Sequence, residues 1–334
     1  MPATTVETSA AARLRDVHIA FGAREVVRGV DLDLVPGRVT ALVGESGSGK
    51  SLTSLALMGL LPPGARVSAG TVEIEGRDTA GLTGAQWRHL RGAKIAMVFQ
   101  DPMAALNPSF TVGWQIAETL RRRGTGRRAA RERAVELMRT VGIPDAEVKY
   151  GAYPHEFSGG MRQRAVIAMA LTLDPAVLLA DEPTTALDVT VQAQILRLLA
   201  RRQTEAGMAM LLVSHDLGVV ARVAQDVAVM YAGRIVETGA LDDVYTAPAH
   251  PYTRGLLDAV PDPARPGRLV PIEGQPPAPG TLPAGCAFAP RCRYATKVCG
   301  TEDPALTAVG QAHESACHHS GKVLAEAGNV EAAS

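Results

Sequence analysis

The sequence predicts an α/β protein whose parallel sheet is covered on both faces, and three observations carry that prediction. A short apolar run, Val39 to Val43, leads into GESGSGKS and then into an apolar stretch of helical character from Leu52 to Leu61, which reads as strand, glycine loop and helix. Two further apolar runs, Ala176 to Ala180 and Met208 to Val213, are short, flanked by polar turn residues and separated by a helical segment, as parallel strands buried on both faces are. Hydrophobic residues make up 46% of the 334, enough to bury one large domain and a smaller appendage.

Residues 1–12 read as a flexible tail. Leu14 to Phe21 and Val26 to Leu34 alternate apolar and polar positions like half-buried strands, so an antiparallel sheet is expected to open the domain. Residues 71–76 read as a strand ending at Gly76. From about 111 to 142 the pattern turns helical, with Arg121, Arg122, Arg123, Arg127, Arg128, Arg131 and Arg133 crowded into it; a solvated helix face is expected there, the alternatives being a docking surface for a partner or for acidic lipid near a membrane. Eight prolines between Pro261 and Pro283 suggest an extended connector. The expected division is a domain over 13–240 with a helical part at 101–165, a small C-terminal domain over 241–320, and a flexible tail at 321–334.

Formal charge is balanced, 34 basic against 34 acidic residues, so no global field points to nucleic acid or an anionic membrane surface. No apolar run approaches the roughly 18 residues of a bilayer span. The start, MPATTVETSAAARLRD, lacks the charged and apolar regions of a secretory signal. A soluble chain in a reducing compartment, where disulfides are disfavoured, is expected.

Gly44-Glu45-Ser46-Gly47-Ser48-Gly49-Lys50-Ser51 fits G-x-x-x-x-G-K-[ST] in the setting that motif requires. Its glycines let main-chain N–H groups curl around phosphate oxygens, the following helix points its positive end at them, and Lys50 reaches the β- and γ-phosphates. Ser51 is expected to place its hydroxyl on Mg2+. Asp181 and Glu182 end a buried strand, and alternation sends the two carboxylates to different tasks. Asp181 would hold the Mg2+ shell, and Glu182 would orient and deprotonate an attacking water. His215 follows the Met208 to Val213 strand and is a candidate polar sensor beside the γ-phosphate; a lone histidine is otherwise structural.

At Phe157-Ser158-Gly159-Gly160-Met161-Arg162-Gln163-Arg164 the sequence resembles the signature of ABC transporter ATPases, over about residues 13 to 320. The resemblance implies a cassette with a RecA-like core, an antiparallel β subdomain and a helical subdomain. It matches Phe21 to the aromatic that stacks on adenine, Gln100 to the Q-loop, Asp188 to the D-loop and His215 to the switch histidine. Glu182, His215 and Gln100 are the catalytic residues it implies, with Ser51, Gln100 and Asp181 around Mg2+. Ser158, Gly159, Gly160 and Gln163 would face ATP bound to a second subunit, so the chain is expected to dimerise. Phe157 departs from the leucine common there and stays apolar.

Gln100-Asp-Pro-Met-Ala-Ala-Leu-Asn-Pro108, His250-Pro-Tyr-Thr-Arg254 and Pro271-Ile-Glu-Gly274 resemble the oligopeptide/dipeptide importer branch, which also takes up nickel and glutathione. That branch implies a second, different ATPase subunit, two transmembrane permease subunits, an extracytoplasmic binding protein, and a place at the cytoplasmic face of the membrane. A soluble ABC ATPase acting on DNA or ribosomes is the alternative. Against it, only 56 residues separate Gln100 from Phe157, too few for a long coiled coil, and each nucleotide motif occurs once.

All four cysteines, Cys286, Cys292, Cys299 and Cys317, follow the proline-rich stretch as C-x5-C-x6-C-x17-C. The gaps exceed the two to four residues usual between paired zinc ligands. In the importer branch a similar arrangement is associated with a 4Fe-4S cluster. Zinc and metal-free thiols remain open, with His313, His318 and His319 as other possible ligands. A structural or sensing role is expected, since residues 286–317 hold few large apolar side chains.

Overall fold

The computed structural model of the chain describes residues 10–184, 187–260, 271–278 and 280–331, which fall into two compact units. The unit holding the glycine loop takes Arg13–Asp33, Val39–Glu73 and the chain from Leu212 onward. Every residue of the Val39–Val43 strand is buried, as an uninterrupted apolar run demands. It runs parallel to Asp226–Tyr231, with Thr40 opposite Asp226 and Val43 opposite Val229. In a separate sheet, Arg24–Leu34, Ala12–Phe21 and Ala65–Ile74 lie side by side in that order. Their burial alternates over the first two strands.

The C-terminal segment, expected as a small domain of its own, instead extends the loop-bearing sheet. Arg234–Ala240 pairs antiparallel with Asp226–Tyr231, His313–Ser315 with Arg234–Ala240, and Thr307–Gly310 with His313–Ser315. With few large apolar side chains, these short strands gain more from an existing sheet edge than from a core of their own. Both expected tails are also partly ordered: Ala10, Ala11 and Ala12 are buried, and Ser320–Glu331 is a helix whose Val323 is fully buried. Residues 1–9 and 332–334, and Pro261, Pro263, Pro266 and Pro279 of the proline-rich stretch, lie outside the described residues.

Glu237 fastens this C-terminal segment. It is fully buried. Its carboxylate accepts the N–H of Ala249 at 2.6 Å and of His250 at 3.0 Å, and His313 Nε2 stands 2.8 Å from it. His250 in turn caps the Pro251–Asp258 helix, its Nδ1 accepting the Tyr252 N–H at 3.0 Å. Burial pushes the imidazole down to about 3, so it stays a neutral acceptor.

The other unit takes the described residues up to Ala12, Leu34–Arg38 and Ile74–Leu211. Ile95–Val98 and Val177–Asp181 pair in parallel, Ile95 opposite Val177, and all their residues are buried. The stretch expected as continuously helical from 111 to 142 is two helices, Val112–Arg122 and Arg127–Thr140, because Gly124 turns left-handed at φ 91°. Arg122 pairs with Glu118, Arg128 with Glu132 and Arg133 with Glu136 and Asp174, the solvated face that was expected. Arg123 differs, donating to the carbonyls of Arg88, His89 and Arg91.

Glu237→Leu would leave two buried N–H donors and His313 without their acceptor. A loss of about 3 kcal/mol or more is expected, read as a lower unfolding midpoint of the full chain, with Glu237→Gln retaining part of it. An unchanged midpoint would show that the C-terminal segment is held by something else.

Candidate active site

Gly44 leaves the Val39–Val43 strand at φ 152°, where a Cβ would lie 2.1 Å from the Met230 carbonyl oxygen. Gly49, at φ 110°, would place one 2.8 Å from Met230 Cε and 3.2 Å from Val27 Cγ2. No other residue fits either position. Gly49 precedes the Lys50–Leu57 helix, whose positive end therefore faces the loop. Lys50 is buried, its Nζ donating to the carbonyls of Gly44 at 2.7 Å and Glu45 at 2.9 Å. Ser48 Oγ is buried with no partner among the described residues. A tight glycine cradle, a lysine folded onto its rim and an orphaned hydroxyl together fit a phosphate chain.

Two other expected residues share this unit. Phe21, 37% exposed, ends its strand with its ring available for stacking. His215 is exposed just past the Ala209–Ser214 strand, between Ser214, whose Oγ accepts the Asp216 N–H at 3.0 Å, and Asp216, which caps Leu217–Val220.

In the other unit, Asp181 ends Val177–Asp181 buried, and Glu182 turns left-handed at φ 45°. That reversal sends two consecutive carboxylates apart, at a backbone cost of about 1–3 kcal/mol typical of functional positions. Gln100 Nε2 donates to Glu182 Oε2 at 2.9 Å, so the Q-loop and the second carboxylate are brought together.

Ser158 caps the Gly159–Ala170 helix, its Oγ accepting the Met161 N–H at 3.3 Å. Ser158 and Gly159 are exposed, whereas Gln163 is 2% exposed and its side chain is enclosed within this chain rather than offered to a partner. A Cβ on Gly160 would lie 2.8 Å from Val191 Cγ1. Val191 sits in the first turn of Val189–Ala206, capped by Asp188, whose carboxylate accepts the Val191 N–H at 2.9 Å. Signature and D-loop thus meet at one point.

The four cysteines are free thiols lining one small cavity with His250, His318 and His319. Cys292 Sγ accepts the Tyr294 N–H at 3.4 Å and Cys317 Sγ the His319 N–H at 3.3 Å. Burial pushes the thiols of Cys286 and Cys292 up, and that of Cys317 to about 11. Among the described residues no three His, Cys, Asp or Glu side chains converge to hold a single metal ion.

Sequence reasoning missed the residues that hold Glu45. Arg291 pairs with its carboxylate, 2.8 and 2.9 Å, and Tyr252 Oη accepts its N–H at 2.7 Å. Tyr252 lies inside the His250 to Arg254 motif, a signal that could have pointed to it; Arg291 carried none.

Fold and loop together define an ATP-binding cassette. The family model described as ABC transporter matches residues 27–185, and that described as oligopeptide/dipeptide transporter, C-terminal region, matches residues 236–299. A putative peptide import ATP-binding protein of Brucella melitensis is 53% identical over 311 residues, covering 88% of this chain and 92% of that protein. The dipeptide transport ATP-binding protein DppD of Bacillus subtilis is 48% identical over 91% of this chain and 93% of its own length; that of Escherichia coli K12 is 48% identical over 85% and 87%. Among solved structures, a dimeric post-hydrolysis state of the cassette MJ0796 bound to ADP and Pi has a TM-score of 0.61 at 28% identity, covering 69% of this chain and 98% of that one. CbiO1 of Clostridium perfringens, part of the complex cbiONQ, has a TM-score of 0.63 at 26% identity, over 71% and 91%. The chain belongs to the ATP-binding subunits of ABC transporters, in the oligopeptide/dipeptide branch, and is an ATPase.

Gly160→Ala would push the signature helix off Val191. ATP turnover of the assembled transporter is expected to fall about tenfold or more, and Val191→Ala in the same chain to recover most of it. No recovery would mean that the glycine matters for reasons other than this contact.

Proposed function

We propose that this chain is one of two ATP-hydrolysing subunits driving an importer of di- and oligopeptides, bound at the cytoplasmic face of the membrane to two permease subunits and served by an extracytoplasmic binding protein. The observation that carries the reading is the likeness to a dipeptide transport protein over 91% of this chain, through the C-terminal region as well as the cassette. No helix among the described residues is long and apolar enough to cross a membrane, which suits a peripheral subunit.

Lys50 exchanges the carbonyls of Gly44 and Glu45 for the β- and γ-phosphates, while the N–H groups from Gly44 to Ser51 wrap the phosphate chain. Phe21 stacks on the adenine. Bound Mg2+ would neutralise the phosphate charge, with Ser51, Asp181 and Gln100 as the side chains that hold it or its water shell. Glu182 takes the proton of the attacking water, steadied by the Gln100 amide, and His215 bonds the γ-phosphate. The exposed Ser158 and the N–H groups of Gly159 and Gly160 cap the nucleotide of the partner subunit, with Asp188 beside them. Phe99 and Met103, apolar yet exposed and flanking Gln100 in the chain, offer a surface to a permease helix.

In the transporter reconstituted in vesicles, a dipeptide-loaded binding protein is expected to stimulate ATP hydrolysis and uptake. Glu182→Gln should keep nucleotide binding but lower turnover about a hundredfold or more, and Lys50→Ala should weaken binding itself. Stimulation by nickel or glutathione instead of peptide would replace the substrate, and normal hydrolysis by Glu182→Gln would remove it as the base.

The four cysteines we read as ligands of a 4Fe-4S cluster. Such a cluster takes one thiolate per iron, so sulfurs spread around one cavity suit it, and main-chain N–H groups on Cys292 and Cys317 would stabilise the thiolates. When bound, it would staple the segment rather than carry electrons. Protein purified without oxygen should be brown; colourless protein with stoichiometric zinc would overturn the assignment.

A further inference from the structure

Glu45 is the first variable residue of the phosphate loop; Lys50 and Ser48 of the motif bond its carbonyl, but its carboxylate and its N–H are held by groups the motif does not contain. Arg291 grips its carboxylate with both prongs, Nη1 to Oε2 and Nη2 to Oε1. The side chain is 5% exposed, and two more of its donors are placed: Nε on the Glu273 carbonyl at 2.9 Å, Nη1 also on Tyr231 Oη at 3.3 Å. Tyr252 takes the Glu45 N–H, and Tyr231, Tyr252 and Phe288 pack together with ring centroids 4.6 to 5.5 Å apart. Arg291 ends the Ala289–Arg291 turn between two cysteines. The Ala289 N–H donates to the Cys286 carbonyl at 3.0 Å and the Cys292 N–H to the Ala289 carbonyl at 3.2 Å.

Two physical effects follow. A carboxylate at the lip of an anion site repels phosphate unless its charge is matched, and a buried two-pronged guanidinium matches it. A loop fixed at its first variable residue also needs less ordering when ligand arrives.

We propose that Arg291 is a positioning residue for the nucleotide: it pins and neutralises Glu45, and through it the cysteine-bearing segment sets how tightly the phosphate loop binds. This rests on the nucleotide reading of that loop. The conformation of the Cys286 to Cys292 turn fixes Arg291, Arg291 fixes Glu45, and Glu45 fixes the loop's entry.

The test is calorimetric titration of MgADP into the transporter containing the full chain. Arg291→Ala is expected to raise Kd about tenfold, roughly the effect of losing one charge pair near the surface of a site. Adding Glu45→Gln, which removes the unmasked charge, should recover part of that loss, a rescue no general loosening of structure would give. Cys292→Ser should raise Kd where Arg291 is present and add nothing beside Arg291→Ala. If Arg291→Ala does not assemble, Arg291→Lys keeps the charge, loses the fork, and should raise Kd about threefold. A folded Arg291 variant with unchanged Kd overturns the proposal; an equal effect of Cys292→Ser in both backgrounds overturns the link to the cysteines. Failure of the unaltered transporter to bind MgADP would instead overturn the nucleotide reading.

Discussion

The main-chain carbonyl of Met230 occupies the space a side chain on Gly44 would need, and the phosphate loop takes its shape from that closeness. Val39–Val43 and Asp226–Tyr231 run parallel with Val43 level with Val229, so the chain leaving one strand must cross the end of the other. Only glycine can make that crossing with its N–H turned outward. Everything downstream depends on it: the start of the Lys50–Leu57 helix, the return of Lys50 onto the rim, and the position of Glu45.

Much of this was legible because it is local. The Val39–Val43 strand was read with its observed bounds, since a strand buried on both faces is a continuous apolar run ended by glycine. Where no such local signal exists, the reading failed. The Ala65–Ile74 strand was recognised only from residue 71, because most of its earlier residues are exposed and carry no apolar alternation. The strands at Thr307–Gly310 and His313–Ser315 take their identity from a sheet edge about 75 residues away, and Arg291 reaches Glu45 across 246 residues. The cysteine spacing suggested a cluster but could not show that all four side chains line one cavity.

The signature shows how a functional start differs from a stable one. Two glycines in the first turn of a helix each weaken it by about 1 kcal/mol relative to alanine, and Ser158 offsets part of that as cap. What the helix gains is bare main chain at its exposed end, with Gly160 close enough to Val191 that any side chain would separate the signature from the D-loop. Gln163, one turn further on, is buried and belongs to the support of that end.

The edge pairing of Arg234–Ala240 carries a consequence for the nascent chain. During synthesis that strand emerges well before His313–Ser315, and until then its outer N–H and C=O groups form an open template to which foreign strands can add. A message truncated near residue 300 would leave that template permanently uncovered, making self-association, rather than simple loss of activity, the fate of the shortened product.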